Sequence, residues 1–407
     1  MDVDSRTSMS RLVSLAVLTL TLAANPALAD KRYGPGVTDT EIKIGQTMPY
    51  SGPASAYATV GKSEAAYFAK INAEGGINGR KINLISLDDG YSPPRTVEQT
   101  RRLVEHDEVL FLFSSLGTPT NAAVVKYLNA KKVPQLFVSS ADGKFDDPER
   151  YPWTIGWIPT QQTETAAYAR FILETHRNPR IAVLYQNDDF GKDYLKWFRA
   201  ALGERASELI VAAASYETSD PTVDSQVVTL KASGADVFVN LSSAKFAAQA
   251  IRKVSDIGWR PLHILVGASR SVAAVLQPAG LEKSIGIVTS AYLKDPTDPT
   301  WKDDPGMKQW VAWMDKYYPE GDRADYGNVA GYAFAQTLVQ VLRQCGDELT
   351  RENVMRQAAN LRNFELPLLL PGIRINTSPS DYRPVKQTQL QRFNGTRWVL
   401  FGEIMGN

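Results

Sequence analysis

Val109-Leu110-Phe111-Leu112-Phe113 is five apolar residues in a row. A strand with one wet face alternates apolar and polar residues, so an unbroken run predicts a strand buried on both faces, as in a parallel sheet covered by helices. Working outward from it, Ile42 to Met48, Lys81 to Asp88 and Pro134 to Val138 read as strands of the same kind. Between them lie amphipathic stretches from Gly61 to Glu74, from Pro93-Pro94 to about Asp107 and from about Pro119 to Ala130, which read as helices. This alternation is that of a doubly wound α/β lobe.

A second series with the same grammar follows Trp153-Thr154-Ile155-Gly156-Trp157. Strands are expected over Arg180–Tyr185, Glu208–Ser215, Asp236–Leu241, Pro261–Val266 and Ile285–Ala291. Helices are expected over 160–176, Phe190–Leu202, 222–233 and 244–257. Right-handed crossovers make this a second doubly wound sheet. Three further helices, roughly 301–317, 326–344 and 350–361, precede a change of character. Thr388–Phe393 and Arg397–Ile404 flank Asn394-Gly395 and read as a β-hairpin.

The 407 residues, 43% apolar and 22% charged, are too many for one ordinary core and predict two domains. Forty-five Lys and Arg against 44 Asp and Glu leave a net charge of +1, which offers nothing to draw the protein onto nucleic acid or anionic lipid. With one cysteine, Cys345, and three histidines, His106, His176 and His263, neither a disulfide framework nor a Cys/His metal cage is expected. A structural role is expected for Cys345. At the N-terminus, Arg6 and Arg11 precede an apolar run from Leu12 to Ala24, then Asn25-Pro26 and Ala27-Leu28-Ala29. Residues 1–29 therefore read as a signal peptide cleaved before Asp30. The run of about 13 residues is shorter than the ~20 that span a bilayer, and no cysteine follows it to carry a lipid. The mature protein is expected in the periplasm.

Motifs of catalysis are missing where they would be expected. Ala56-Tyr57-Ala58-Thr59-Val60-Gly61-Lys62-Ser63 lacks the first glycine of a phosphate-cradling loop. Gly75-Gly76-Ile77-Asn78-Gly79 follows a helix where a dinucleotide fingerprint would open one, and reads as a helix C-cap. No Gly-x-Ser-x-Gly elbow surrounds Ser115. Asp88-Asp89-Gly90 and Asn187-Asp188-Asp189 lie in strand-to-helix loops and read as helix caps. No cofactor, metal or enzymatic activity is expected.

Ligands of open α/β sheets bind at the carboxyl ends of the strands. The first series places Ser51-Gly52-Pro53 with Tyr57, Ser115-Leu116-Gly117-Thr118-Pro119-Thr120, and Ser139-Ser140-Ala141-Asp142 there. Hydroxyls beside free amides at a helix start suit a carboxylate. The same spacing equally suits Thr118 and Ser139 as plain helix caps.

Ser51-Gly52-Pro53 with Tyr57, the run Ile71-Asn72-Ala73-Glu74-Gly75-Gly76-Ile77-Asn78-Gly79-Arg80, Asp88-Asp89, and Phe190-Gly191 after a buried strand resemble the periplasmic binding proteins of the leucine/isoleucine/valine-binding type. The similarity runs from about Val37 to the C-terminus. It implies two Rossmann-like doubly wound lobes that close like a flytrap, joined by three crossovers near Trp157–Thr160, Ser290–Tyr292 and Phe364–Gly372. Lobe I would comprise 30–157 plus 291–365, and lobe II 158–290 plus 366–407. It also implies a small-molecule carboxylate ligand, an ABC permease and ATPase as membrane partners, and a monomer.

Carried over by position, the carboxylate-binding hydroxyl falls on Thr118, with backbone groups of Leu116, Gly117, Ser139, Ser140 and Ala141 beside it. Tyr57 matches the aromatic wall of lobe I and Phe190 the lid of lobe II; Tyr292 sits at the second crossover. Members that bind α-amino acids set a lobe II carboxylate against the ligand's ammonium, and here that position holds Ser269. Ser242-Ser243 stand where such members commonly have an aromatic residue. An ammonium buried without a counter-charge is costly, so these departures point to an acid without an α-ammonium, such as a benzoate or phenylpropenoate. Ser115 to Thr120 is also similar to the aromatic-acid-binding members. An amino acid returns as ligand if Asp89 or Asp142 turns into the cleft, and a ligand sensor of the same fold is a further rival.

Overall fold

The computed structural model describes residues 31–406, and the expected signal peptide lies outside them. The first series forms β1 (Arg32–Tyr33), β2 (Glu41–Met48), α1 (Ala58–Ala73), β3 (Lys81–Asp88), α2 (Pro93–Arg101), β4 (Leu112–Phe113), α3 (Thr118–Ala130), β5 (Gln135–Val138) and β6 (Thr154–Gly156). The second forms α4 (Gln161–Thr175), β7 (Ile181–Gln186), α5 (Asp189–Leu202), α6 (Ala206–Leu209), β8 (Ile210–Tyr216), α7 (Asp224–Ala232), β9 (Val237–Leu241), α8 (Ala244–Asp256), β10 (Leu262–Leu265), α9 (Gln277–Ala279) and β11 (Val288–Ala291). Then come α10 (Pro305–Tyr317), α11 (Tyr326–Cys345), β12 (Glu348–Leu349), α12 (Arg351–Ala358), β13 (Thr388–Phe393) and β14 (Trp398–Met405).

The first sheet is entirely parallel in the order β3-β2-β4-β5-β6. The second runs β14-β13-β11-β10-β9-β7-β8, with β8 to β11 parallel and the hairpin β13-β14 added antiparallel at one edge. Each lobe thus repeats one doubly wound order, whose switch point falls between β2 and β4 in the first and between β7 and β9 in the second. Val109 to Phe113 are all buried as their run requires. Strand pairing extends back to Leu110, whose amide donates to Lys43, but Ser114 with φ of 49° ends the strand abruptly.

Trp157 anchors the first crossover. It is fully buried, lies 4.5 Å from the Phe334 ring and donates its indole N–H to Thr337 Oγ1 at 3.0 Å, so the chain leaves lobe I from a fixed point. The second crossover follows β11. The third differs from expectation: Leu366 through Val385 pack into the same core as Ile42, Phe113 and Trp157, and the chain reaches the second sheet only at Thr388. The apolar side chains Leu368, Ile375 and Val385 decide this, because burying each is worth about 1.5–3 kcal/mol and the first core is where they fit. The hairpin connection also departs from a two-residue turn. Phe393 pairs with Trp398, and Asn394 Oδ1 accepts from the amides of Thr396 and Arg397 to close a four-residue loop.

Candidate functional site

The two switch points face each other across a cleft of about 950 Å³, its mouth included, within the size of ligand sites. From lobe I the loop after β2 contributes Tyr57, the loop after β3 Tyr91, the loop after β4 Leu116, Gly117 and Thr118, and the loop after β5 Ser139, Ser140 and Ala141. From lobe II come Glu164, Phe190, Tyr194, Ser243, Gly267 and Arg270. Tyr292, Tyr326 and Phe334 close the hinge side. Of the residues assigned to the ligand from sequence, Tyr57, Leu116, Gly117, Thr118, Ser139, Ser140, Ala141, Phe190, Ser243 and Tyr292 line this cleft, whereas Ser242 and Ser269 do not. The Ser269 side chain turns away, donating to Ser242 O at 2.6 Å, with Tyr57 Oη 3.2 Å from its Oγ.

Thr118 does not cap its helix. The cap residue of α3 is Gly117, which has φ of 107°, and Thr118 is the first helical residue. Pro119 has no N–H, and the first intrahelical bond is Asn121 N–H to Gly117 O, so the helix start leaves its amide end toward the cleft. The Thr118 and Ser140 hydroxyls lie 2.8 Å apart, both buried. Gly117 must be glycine: a Cβ would stand 2.5 Å from Thr120 Oγ1 and 2.6 Å from the Tyr91 ring. Tyr91 itself holds φ of 61°, a conformation that costs a bulky residue roughly 1–3 kcal/mol and recurs at ligand clamps.

Asp89 and Asp142 are both buried and neither lines the cleft. Asp89 accepts from Tyr91 N–H and Thr96 Oγ1, and Asp142 pairs with Lys144 at 2.8 Å. Asp88 and Asp89 stitch their loop together without capping α2, whereas Asp188 does cap α5, accepting from Phe190 and Gly191. His263 is buried, and desolvation pushes its imidazole down to about 3, so it packs neutral against Phe238. Burial likewise holds the Cys345 thiol up to about 12, an inert packing group.

The polar and aromatic cleft residues Tyr91, Glu164, Tyr194, Arg270 and Tyr326 are among those that sequence reasoning did not find. Arg270 follows Ser269 in a loop at the carboxyl edge of the sheet, so the rule that found Thr118 had the signal for it. Glu164 had little local signal, because two of its three partners, Tyr194 and Gly267, are far along the chain. Its carboxylate accepts from Tyr168, Tyr194 and the Gly267 amide.

The lobes touch across the cleft. Tyr57 Oη accepts from Ala244 N–H at the start of α8 at 2.9 Å, and Lys144 of the first lobe reaches Asp189 at 3.4 Å and Asp193 at 3.8 Å on α5. Burial first, then the neighbouring Asp142, pushes the Asp193 carboxyl up to about 6, with Lys144 pulling it down. Opening exposes Asp193 to water and removes Asp142 and its paired Lys144 together, so the loss of burial leads and the closed form holds the proton more tightly than the open one between the ordinary carboxyl range and pH 6. Closure is therefore favoured as pH falls through 6. Ligand affinity, measured by calorimetry at pH 7.5 and 5.5, should rise a few-fold toward the lower pH in the wild type and less in Asp193→Asn. An equal response in both proteins would clear Asp193 of this role.

Residues 41–397 match the profile of a family described as periplasmic binding protein. The Leu/Ile/Val-binding protein homolog 7 of Brucella abortus is 24% identical over 351 residues, 82% of either chain. Among solved structures, a branched chain amino acid ABC transporter protein from Thermus thermophilus with bound valine superposes with a TM-score of 0.81 at 17% identity, covering 91% of this chain and 98% of that one. A fatty acid ABC transporter substrate-binding protein from Thermomonospora curvata gives 0.77 at 20%, covering 92% and 95%.

Proposed function

The chain belongs to the periplasmic binding protein family, a family of substrate-binding proteins and not of enzymes, and from that premise we propose that it captures a small carboxylate without an α-ammonium group, an aromatic acid of benzoate or phenylpropenoate type, and delivers it to an ABC permease. The observation that carries the reading is the composition of the two walls. On lobe I, the paired hydroxyls of Thr118 and Ser140 meet the amide end of α3, an arrangement that favours a carboxylate. On lobe II, Ser269 is turned away and Arg270 stands nearby, so an ammonium there would meet a buried cation. Between the walls, Tyr57, Tyr91, Phe190 and Tyr292 line the cleft with aromatic rings that suit a flat apolar body. The ligand touches both lobes and so favours the closed form over the open one, which is the form for a permease to recognise.

Glu164 supports a second reading, an amino acid with its ammonium on that carboxylate, because Glu164 lines the cleft. Against it, both oxygens of Glu164 already accept protein hydrogen bonds. The fold itself is found with valine and in a fatty acid transporter, and so does not choose.

Thr118→Ala should weaken binding of the carboxylate by about 1–3 kcal/mol through loss of a charge-assisted hydrogen bond, with the unfolding midpoint unchanged. Calorimetry on wild type and variant reads this directly. Unaltered affinity would remove the carboxylate from the Thr118 wall.

A further inference from the structure

Arg270 is the only lysine or arginine among the described residues that line the cleft. It is 2% exposed. Nη1 donates to Ser290 O at 3.2 Å, while Nη2 is buried without a hydrogen-bond partner. The guanidinium lies 3.5 Å over the Tyr326 ring and 4.9 Å from that of Tyr292, whose hydroxyls are bonded to each other at 2.7 Å. Those rings fix the plane of the fork without neutralising its charge.

The loop that presents Arg270 is held on each side of it. Ser269 Oγ donates to Ser242 O, Ser271 Oγ donates to Asp325 at 2.9 Å, and the Trp398 indole N–H donates to the carbonyl of Arg270 itself at 2.9 Å. The arginine is thus pre-positioned on the cleft wall, with Nη2 buried and unpaired. A buried cation with an unmade hydrogen bond is costly unless an anion completes it. Glu164 shares this wall and Asp295 lies near enough to feel the arginine's charge, but neither hydrogen-bonds it: the Glu164 oxygens accept from Tyr168, Tyr194 and Gly267, and Asp295 accepts from Thr297.

Resting on the reading that a carboxylate sits against Thr118 and Ser140, we infer that the ligand carries a second anionic group, held by Arg270 on the opposite lobe. The class is a dicarboxylate with an aromatic or apolar spacer. Each lobe then holds one charged end, so a diacid bridges the lobes, whereas a monoacid leaves Arg270 unpaired on closure.

The test uses the mature protein, freed of co-purified ligand by unfolding and refolding, and acid pairs of matched skeleton. These are benzoate and benzene-1,4-dicarboxylate, 3-phenylpropanoate and 3-(4-carboxyphenyl)propanoate, hexanoate and hexanedioate. Calorimetry should show at least one diacid binding more than about 30-fold tighter than its monoacid. Arg270→Gln should cut the diacid's affinity at least about 10-fold more than the monoacid's, with Arg270→Lys between. Monoacids binding as tightly as diacids to the wild type would overturn the second anionic group while leaving carboxylate capture standing, and this comparison needs no variant to fold. An equal loss of both acids in Arg270→Gln would also overturn it. Binding of neither acid class would overturn both readings.

Discussion

Glu164→Ala should lower the stability of the second lobe by about 3–5 kcal/mol, seen as a marked fall in its denaturant midpoint. Glu164 stands in the first turn of α4, 5% exposed, where its oxygens accept from the Tyr168 and Tyr194 hydroxyls and from the Gly267 amide. Burial first and then the adjacent carboxylate push both tyrosine hydroxyls well above their ordinary value, so both remain protonated donors. Alanine leaves the Tyr194 hydroxyl and the Gly267 amide buried without an acceptor, at roughly 1–3 kcal/mol each before relaxation, while the Tyr168 hydroxyl keeps the Leu265 carbonyl at 2.9 Å. It also frees the Gly267–Arg270 loop from α4, so ligand affinity should fall too. A midpoint within about 1 kcal/mol of wild type would mean that water replaces the carboxylate at no cost and that the wall is not held as described.

Gly191→Ala should be of similar severity, about 3 kcal/mol, though it adds only a methyl group. Gly191 lies at the start of α5, where the helix passes over the end of β7. A Cβ would stand 2.1 Å from the carbonyl oxygen of Gln186 and 2.5 Å from its amide nitrogen. Both are backbone atoms, so no side chain can swing aside, and the helix start must lift off the strand. Phe190, the preceding residue, would move with it and withdraw its ring from the cleft. Stability and affinity should therefore fall together, in contrast to Phe190→Ala, which should lose affinity alone. An unfolding curve like that of wild type would show that the helix and strand separate more easily than their packing implies.

The order of elements was legible because both signals that encode it are local. Val109–Phe113 announced a two-sided burial, and the alternation around it left a doubly wound lobe as the consistent solution. Lobe I of the site was legible for the same reason, since Thr118, Ser139 and Ser140 are carried on short loops directly after strands. What could not be read depends on long-range partners. Glu164 matters because of Gly267, 103 residues away, and the excursion of Leu366 to Val385 into the first core depends on a cavity that no local pattern describes. Ser269 was given a role by position alone, yet a single hydrogen bond to Ser242 turns it from the cleft and leaves the next residue, Arg270, facing it.

The central claim is capture of a carboxylate that lacks an α-ammonium group. Its most direct measurement is a thermal-shift screen of the stripped mature protein against leucine, valine and phenylalanine beside benzoates, phenylpropenoates and their dicarboxylates. A ligand at 100 times its dissociation constant adds about 2.7 kcal/mol of stability, which moves the midpoint visibly. The account predicts stabilisation by the aromatic acids and none by the amino acids. Stabilisation by leucine or valine would contradict it and assign the ligand's ammonium to Glu164.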